Sequence, residues 1–231
     1  MDNIDVEYAR EKGLTVINTP AASSSSVAEL VFAHLFGGVR FLYDSNRNMP
    51  LEGESNFKGL KKSYANGIEL SGKTLGIIGF GRIGQEVAKI GLGVGMNVIA
   101  TDKYMDVAEI EVSLFNGASL KVSIETTTME HVLEQSDFIS LHVPAQKDYV
   151  IGKKELDMMK DGSVIINAAR GGVVDEVALV NALDSKKLSF ACLDTFENEP
   201  KPEVKLLMHP KISLSPHIGA ATLEAQDRNG L

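Results

Sequence analysis

The chain has 231 residues, 44% hydrophobic and 23% charged, with a formal net charge of -8. That balance describes a folded globular chain long enough for a sizeable core, and it excludes a disordered one. The acidic excess would repel a phosphate backbone, and the nearest basic run, KGLKK at 58–62, is short and reads as a solvated loop, so no nucleic-acid partner is expected.

The opening, MDNIDVEYAR, is acidic and polar where a secretory leader would be basic and then apolar. No stretch reaches the roughly eighteen uninterrupted apolar residues of a membrane span. A cytoplasmic location without membrane contact is therefore the expectation. TVIN (15–18) is predicted as a first strand. A long helix follows, its start read from Ser26 and Glu29 as a capping box and its buried face from Val27, Leu30, Val31, His34, Leu35 and Gly38. Residues 44–73, rich in Asn, Gly, Ser and Lys and containing Pro50, read as an irregular connector. It ends in GIELSGKT (67–74), which matches the phosphate-loop pattern of nucleotide triphosphatases. A polar loop precedes that match and a strand follows it, the reverse of what phosphate binding by a helix N-terminus requires, so we read it as chance.

TLGIIGF, NVIATD, DFISLHV, SVIINAA, FACLDTF and KISLSP complete the predicted strands, and several are apolar on both faces. Such strands belong in a parallel sheet covered on each side, so the expected fold class is α/β with a doubly wound parallel sheet. Cys192, the one cysteine, reads as a buried strand position, and no internal disulfide is possible. His34, His131, His142, His209 and His217 show no ligand spacing and there is no cysteine pair, so no metal is expected.

Gly79-Phe80-Gly81-Arg82-Ile83-Gly84 falls directly after TLGIIGF and opens the helical stretch RIGQEVAKIGLGV. In that setting Gly79 allows a tight turn, Gly81 lets a pyrophosphate approach the backbone, and Gly84 lets helix and strand pack closely. Asp102 ends the next strand, eighteen residues after Gly84, where a carboxylate accepts hydrogen bonds from an adenosine ribose and repels a 2′-phosphate. NAD is thus favoured over NADP, although Lys103 follows.

LHVPAQ (141–146), NAARGGVVDE (167–176), CLDTFENEP (192–200) and SPHIGAAT (215–222) each fall at or just beyond a strand's carboxyl end, where open α/β sheets bind ligands. Together with GFGRIG they resemble the D-isomer-specific 2-hydroxyacid dehydrogenases, from the first residues almost to the last. The resemblance implies a Rossmann-type NAD-binding domain with His217 as the acid/base, Glu199 as its carboxylate partner and Arg170 as the cation that holds the substrate carboxylate. A carboxylate neighbour favours the protonated imidazole, and a cation beside the forming carbonyl stabilises it. By the same resemblance Arg82 and Ile83 lie at the pyrophosphate, and His142, Val143 and Pro144 beside the adenosine and its ribose. Ala168, Ala169, Arg170, Asp194, His217, Gly219 and Ala220 would surround the nicotinamide.

Softer cues such as TLEAQ after the histidine point to the phosphoglycerate-oxidising branch, and so to the conversion of 3-phosphoglycerate to 3-phosphohydroxypyruvate in serine biosynthesis. Glycerate, lactate and glyoxylate or hydroxypyruvate are the alternative substrates. The resemblance also implies that most of the substrate lobe is absent. Residues 1–20, with Asp2 and Asn3, would be a remnant of its crossover, 21–218 the NAD-binding domain, and 219–231 the start of the return to the lobe. The isolated chain is expected to bind NAD and to turn over substrate weakly, because remote substrate contacts supply positioning energy. A homodimer through about residues 26–70 is implied too. A second reading, from the family's co-repressor relatives, is an NAD-responsive binding module.

Overall fold

A computed structural model describes residues 4–17, 19 and 21–230. Four helices come first: α1 (Val6–Glu11), α2 (Ser24–Val39), α3 (Leu42–Glu52) and α4 (Phe57–Ser63). Then follow β1 (Thr74–Ile78), α5 (Arg82–Val94), β2 (Asn97–Thr101), β3 (Val107–Ser113), β4 (Ser119–Glu125), α6 (Met129–Gln135) and β5 (Phe138–Leu141). The remainder is α7 (Lys153–Met158), β6 (Ser163–Asn167), α8 (Glu176–Asp184), β7 (Leu188–Leu193), α9 (Val204–Leu207), β8 (Ile212–Leu214) and α10 (Leu223–Asn229).

Six strands form one sheet in the order β2-β1-β5-β6-β7-β8, every neighbouring pair parallel. The chain leaves β1 for β2 on one side and returns to β5 on the other, which creates a switch point beside β1. Successive side chains of the central strands enter different cores. Phe138, Val164 and Ile166 pack with Val31, Phe32 and Leu35 of α2 and Val87 of α5. Ile139, Leu141 and Ile165 pack with Val132 and Leu133 of α6, Leu156 of α7 and Leu179 and Leu183 of α8. A sheet covered on both faces needs these unbroken apolar runs, so the doubly wound expectation is met. Cys192 is buried in β7 as expected, and burial pushes its thiol far above the ordinary range.

Four local expectations are corrected. Residues 15–17 of TVIN are not a strand, since Ile17 is 80% exposed and no strand pairs there; Asn18, like Asp2 and Asn3, lies outside the described residues. The first strand is β1. The long helix begins at Ser24, two residues before the expected cap, and Ser23 makes no side-chain cap bond. Ser26 instead is buried and meets Thr222 through hydroxyls 2.8 Å apart, so it joins α2 to the loop before α10. Residues 44–73 hold most of α3 and all of α4, and only 53–56 and 64–73 are irregular; KGLKK lies on α4. The polar residues that suggested a loop face solvent, as no α3 side chain is buried and Leu60 alone is buried in α4.

The fourth correction is an addition. Between β2 and β5 the chain inserts an antiparallel hairpin, β3 with β4, that seats Ala108, Ile110 and Ile124 in the α2–α5 core. Its turn carries Asn116 and Gly117, the latter at φ +83. Among the described residues no single helix is long and apolar enough to cross a membrane. Phe138 is fully buried in the central β5, so Phe138→Ala is expected to destabilise the chain by about 3–5 kcal/mol in urea unfolding.

Candidate active site

The carboxyl ends of all six parallel strands meet on one edge, and the predicted site residues lie there in two groups. The first surrounds the switch point. Gly79, after β1, sits at φ +92, and a Cβ there would lie 2.5 Å from the His142 carbonyl oxygen, so only glycine fits between β1 and β5. Gly84 packs against Gly79 in the same way, while a Cβ at Gly81 would meet nothing within 4 Å, which leaves that face open to a ligand. Gly81 is also the N-cap of α5 and has no capping side chain, and Arg82, Ile83 and Gly84 form the first turn. The leading N–H groups of the helix are left to an anion.

A cleft of about 620 Å³ adjoins this turn, lined among others by Gly79, Gly81, Asp102, His142, Val143 and Pro144. Asp102 at the end of β2 holds its own surroundings as well. One oxygen accepts from the Phe80 N–H at 2.7 Å and the other from the Tyr104 N–H at 2.8 Å. The His142 ring turns inward, with Nε2 2.8 Å from Ser140 Oγ and Nδ1 buried without a partner among the described residues. Burial pushes this imidazole down to about 3, so it is neutral at physiological pH. Uncapped amides, open space at Gly81 and a strand-end carboxylate on one cleft suit a dinucleotide.

The second group lies at the ends of β6, β7 and β8. His217 Nδ1 is 2.8 Å from Glu199 Oε2, and both side chains are partly exposed. The other Glu199 oxygen accepts from the Phe196 N–H at 2.9 Å. Burial alone would raise the Glu199 carboxyl, but the bonds from His217 and Phe196 and the charges of His217 and Arg170 outweigh it and hold it below its ordinary value. His217 itself has φ +55, a left-handed backbone that a non-glycine residue adopts only when its surroundings impose it. Those surroundings are Asp194, whose buried carboxylate accepts from the N–H of Ile218 at 2.9 Å and of Gly219 at 2.8 Å. Asp194 thus braces the turn from His217 to Ala220. Ala168 and Ala169 are buried at the end of β6, and Arg170 follows at the surface, Nη1 donating to the Ala169 carbonyl at 2.7 Å.

Sequence reasoning missed the residues that hold these turns. Asn167 is buried; its amide donates to the Arg170 carbonyl at 2.9 Å and its side-chain oxygen accepts from the Ala169 N–H at 3.1 Å. An Asn closing an apolar strand before a turn was the available signal. Glu176 and Glu197 exchange carboxylate-to-N–H bonds of 3.0 and 2.8 Å, which clip the Arg170 turn to the Glu199 turn. Burial pushes the Glu176 carboxyl up, against the bond from the Glu197 N–H. At Gly171 between them a Cβ would lie 1.9 Å from the Phe196 carbonyl oxygen. Only glycine lets the two turns touch.

The fold and the cleft define a dinucleotide-binding domain of the doubly wound class. Residues 32–219 match the family described as D-isomer specific 2-hydroxyacid dehydrogenase, NAD binding domain, and the chain belongs to it. Over its whole length the chain is 43% identical to a hydroxypyruvate reductase of Thermotoga maritima, covering 71% of that protein. It is 42% identical to a D-3-phosphoglycerate dehydrogenase of Methanocaldococcus jannaschii, of which it spans 42%. The crystal structure of a D-lactate dehydrogenase from Aquifex aeolicus, complexed with NAD and lactic acid, superposes with a TM-score of 0.77 at 33% identity, covering 99% of this chain and 69% of that one.

The His142 ring carries a pH dependence of definite sign. Below 6.5 the unfolded chain binds a proton that the folded ring refuses until about 3, so stability is lost as the pH falls through that window. His142→Gln keeps a donor toward Ser140 without the titration. Relative to the parent it should gain roughly 2 kcal/mol in urea unfolding between pH 7.5 and pH 5.

Proposed function

We propose that the chain carries the NAD site and the acid/base machinery of an enzyme that interconverts a D-2-hydroxy acid and its 2-oxo acid. The observation that carries the reading is the His217–Glu199 pair, 2.8 Å apart, on the same strand-end edge as the dinucleotide cleft. Bound at this site, the nicotinamide would supply the acceptor for the hydride on C2. His217 Nε2 accepts the hydroxyl proton as that hydride leaves, and Glu199 holds Nδ1–H and stabilises the imidazolium that forms. Arg170, whose charge reaches Glu199, grips the carboxylate and polarises the nascent carbonyl. In the reductive direction the same imidazolium returns its proton to the carbonyl oxygen. Asp194 and Asn167 keep the two turns in register with the reacting carbon.

The pyrophosphate would lie on the N–H groups at Arg82, Ile83 and Gly84, the adenosine between Asp102 and His142–Pro144, and the nicotinamide among Ala168, Ala169, Arg170, Gly219 and Ala220. We take 3-phosphoglycerate as the substrate, supported by the likeness to the Methanocaldococcus enzyme over the whole chain. The likeness to the Thermotoga hydroxypyruvate reductase supports the same carbon skeleton without phosphate. Assays with NADH and either 3-phosphohydroxypyruvate or hydroxypyruvate decide between them, and turnover of neither, with NADH bound, would remove both as substrates.

In the active protein His217→Asn should lower kcat by about 10²- to 10⁴-fold while NADH affinity stays within about twofold. Asp102→Asn should weaken NADH and narrow its advantage over NADPH, read by fluorescence titration of both. A homodimer through α2, α3 and α4 completes the proposal. Phe36, Leu42, Tyr43, Leu51 and Phe57 are exposed along these helices, a density of apolar side chains that a monomer rarely shows water. Light scattering should give twice the chain mass, and Leu42→Glu with Leu51→Glu should give the monomer.

A further inference from the structure

His34 lies on α2, buried, and takes no part in the chemistry above. Its Nε2 is 2.8 Å from Ser215 Oγ and its Nδ1 is 2.7 Å from Ser213 Oγ. Ser215 Oγ in turn donates to Asp194 Oδ1 at 2.5 Å. The direction of every proton follows. A serine has one O–H, and Ser215 spends it on the carboxylate, so Ser215 can only accept from Nε2–H. The ring is then the neutral Nε2–H tautomer, and Nδ1 accepts from Ser213. Burial lowers the affinity of the imidazole for a second proton, against the opposing pull of Asp194, which keeps the ring in that neutral state.

The result is a single-direction chain from Ser213 through His34 and Ser215 to Asp194. Asp194 then receives the N–H of Ile218 and of Gly219, the two residues after His217. We propose that His34 is a positioning residue: through Ser215 and Asp194 it fixes the left-handed turn that presents His217 to the substrate, a role that rests on the reading of His217 as the acid/base. A donated bond from His34 orients the Ser215 hydroxyl toward Asp194, and hydrogen bonds in such a chain polarise one another. Without it Ser215 is free to turn away, and Asp194 loses one of its three donors. The turn that Asp194 holds carries an unfavourable φ, so a weakened brace is felt there first.

A plain clamp between α2 and β8 would behave differently, because a bond to either serine would serve it. Amide side chains separate the two roles. His34→Gln keeps a donor near Nε2, toward Ser215, while His34→Asn reaches only the Nδ1 side, toward Ser213. His34→Leu fills the space with neither bond. In the Leu and Asn variants we expect amide exchange at Ile218 and Gly219 to quicken about tenfold, kcat to fall about five- to tenfold, and NADH affinity to stay within about twofold. His34→Gln should remain within about twofold of the parent in all three. Adding Ser215→Ala to His34→Leu should cost little more, since both cut one chain.

Unchanged exchange and kcat in the Leu and Asn variants, or a Gln variant impaired as deeply as the Leu one, would overturn the proposal. The exchange rates need no turnover. A parent chain that binds NADH but reduces no 2-oxo acid would remove the dehydrogenase reading, and the two amides would still report whether His34 holds the turn.

Discussion

Asp194 directly follows β7 at 1% exposure, and its two oxygens collect three donors: the Ser215 hydroxyl and the backbone N–H groups of Ile218 and Gly219. A carboxylate out of water demands such partners, because the loss of even one leaves a desolvated acceptor. Here the donors come from one short segment after β8, so the need of the carboxylate and the shape of that segment are one constraint. The left-handed backbone of His217 is held by bonds to Asp194 from both sides, from Ser215 before it and from Ile218 and Gly219 after it. The same turn carries the 2.8 Å contact between His217 Nδ1 and Glu199.

The same device recurs along that edge. Asp102 after β2 receives two N–H groups, from Phe80 in the glycine turn and from Tyr104 in the chain beyond. Asn167, the last residue of β6, bonds both the N–H of Ala169 and the carbonyl of Arg170. Parallel strands stop abruptly at a common edge and leave backbone groups that no neighbouring strand can satisfy. Short polar side chains at the strand ends satisfy them locally and, in doing so, set the loops of the candidate site. The rigidity of the edge and the layout of the candidate site therefore have one origin.

Much of this could be read from the residues themselves. The glycine turn, the doubly faced apolar strands and the helix after Gly81 are local features, and local physics set them. The Asp194 brace was not legible, because its partners stand more than twenty residues away and only the closing of the sheet brings them together. Polar residues misled where tertiary contacts decided: the serines at 23–26 looked like a cap, yet Ser26 bonds Thr222, and the Asn- and Lys-rich stretch after 44 coils into helices whose polar sides face water. The hairpin was legible and passed over. Ala108, Ile110 and Val112 alternate before Asn116-Gly117, and Leu120, Val122 and Ile124 after it, the short-range signature of paired strands.

That hairpin hangs on the fold by one joint. Val107 pairs with Glu125, and just outside them the Thr126 N–H donates to the Asp106 carbonyl at 2.8 Å, so the segment leaves and rejoins the domain at one point. With Ala108, Ile110 and Ile124 seated in the core and both ends leaving through a single gate, such a module can vary at its Asn116-Gly117 tip without moving the strands on either side. That tip offers the engineer a port for a reporter domain, while the strand-end edge keeps its geometry.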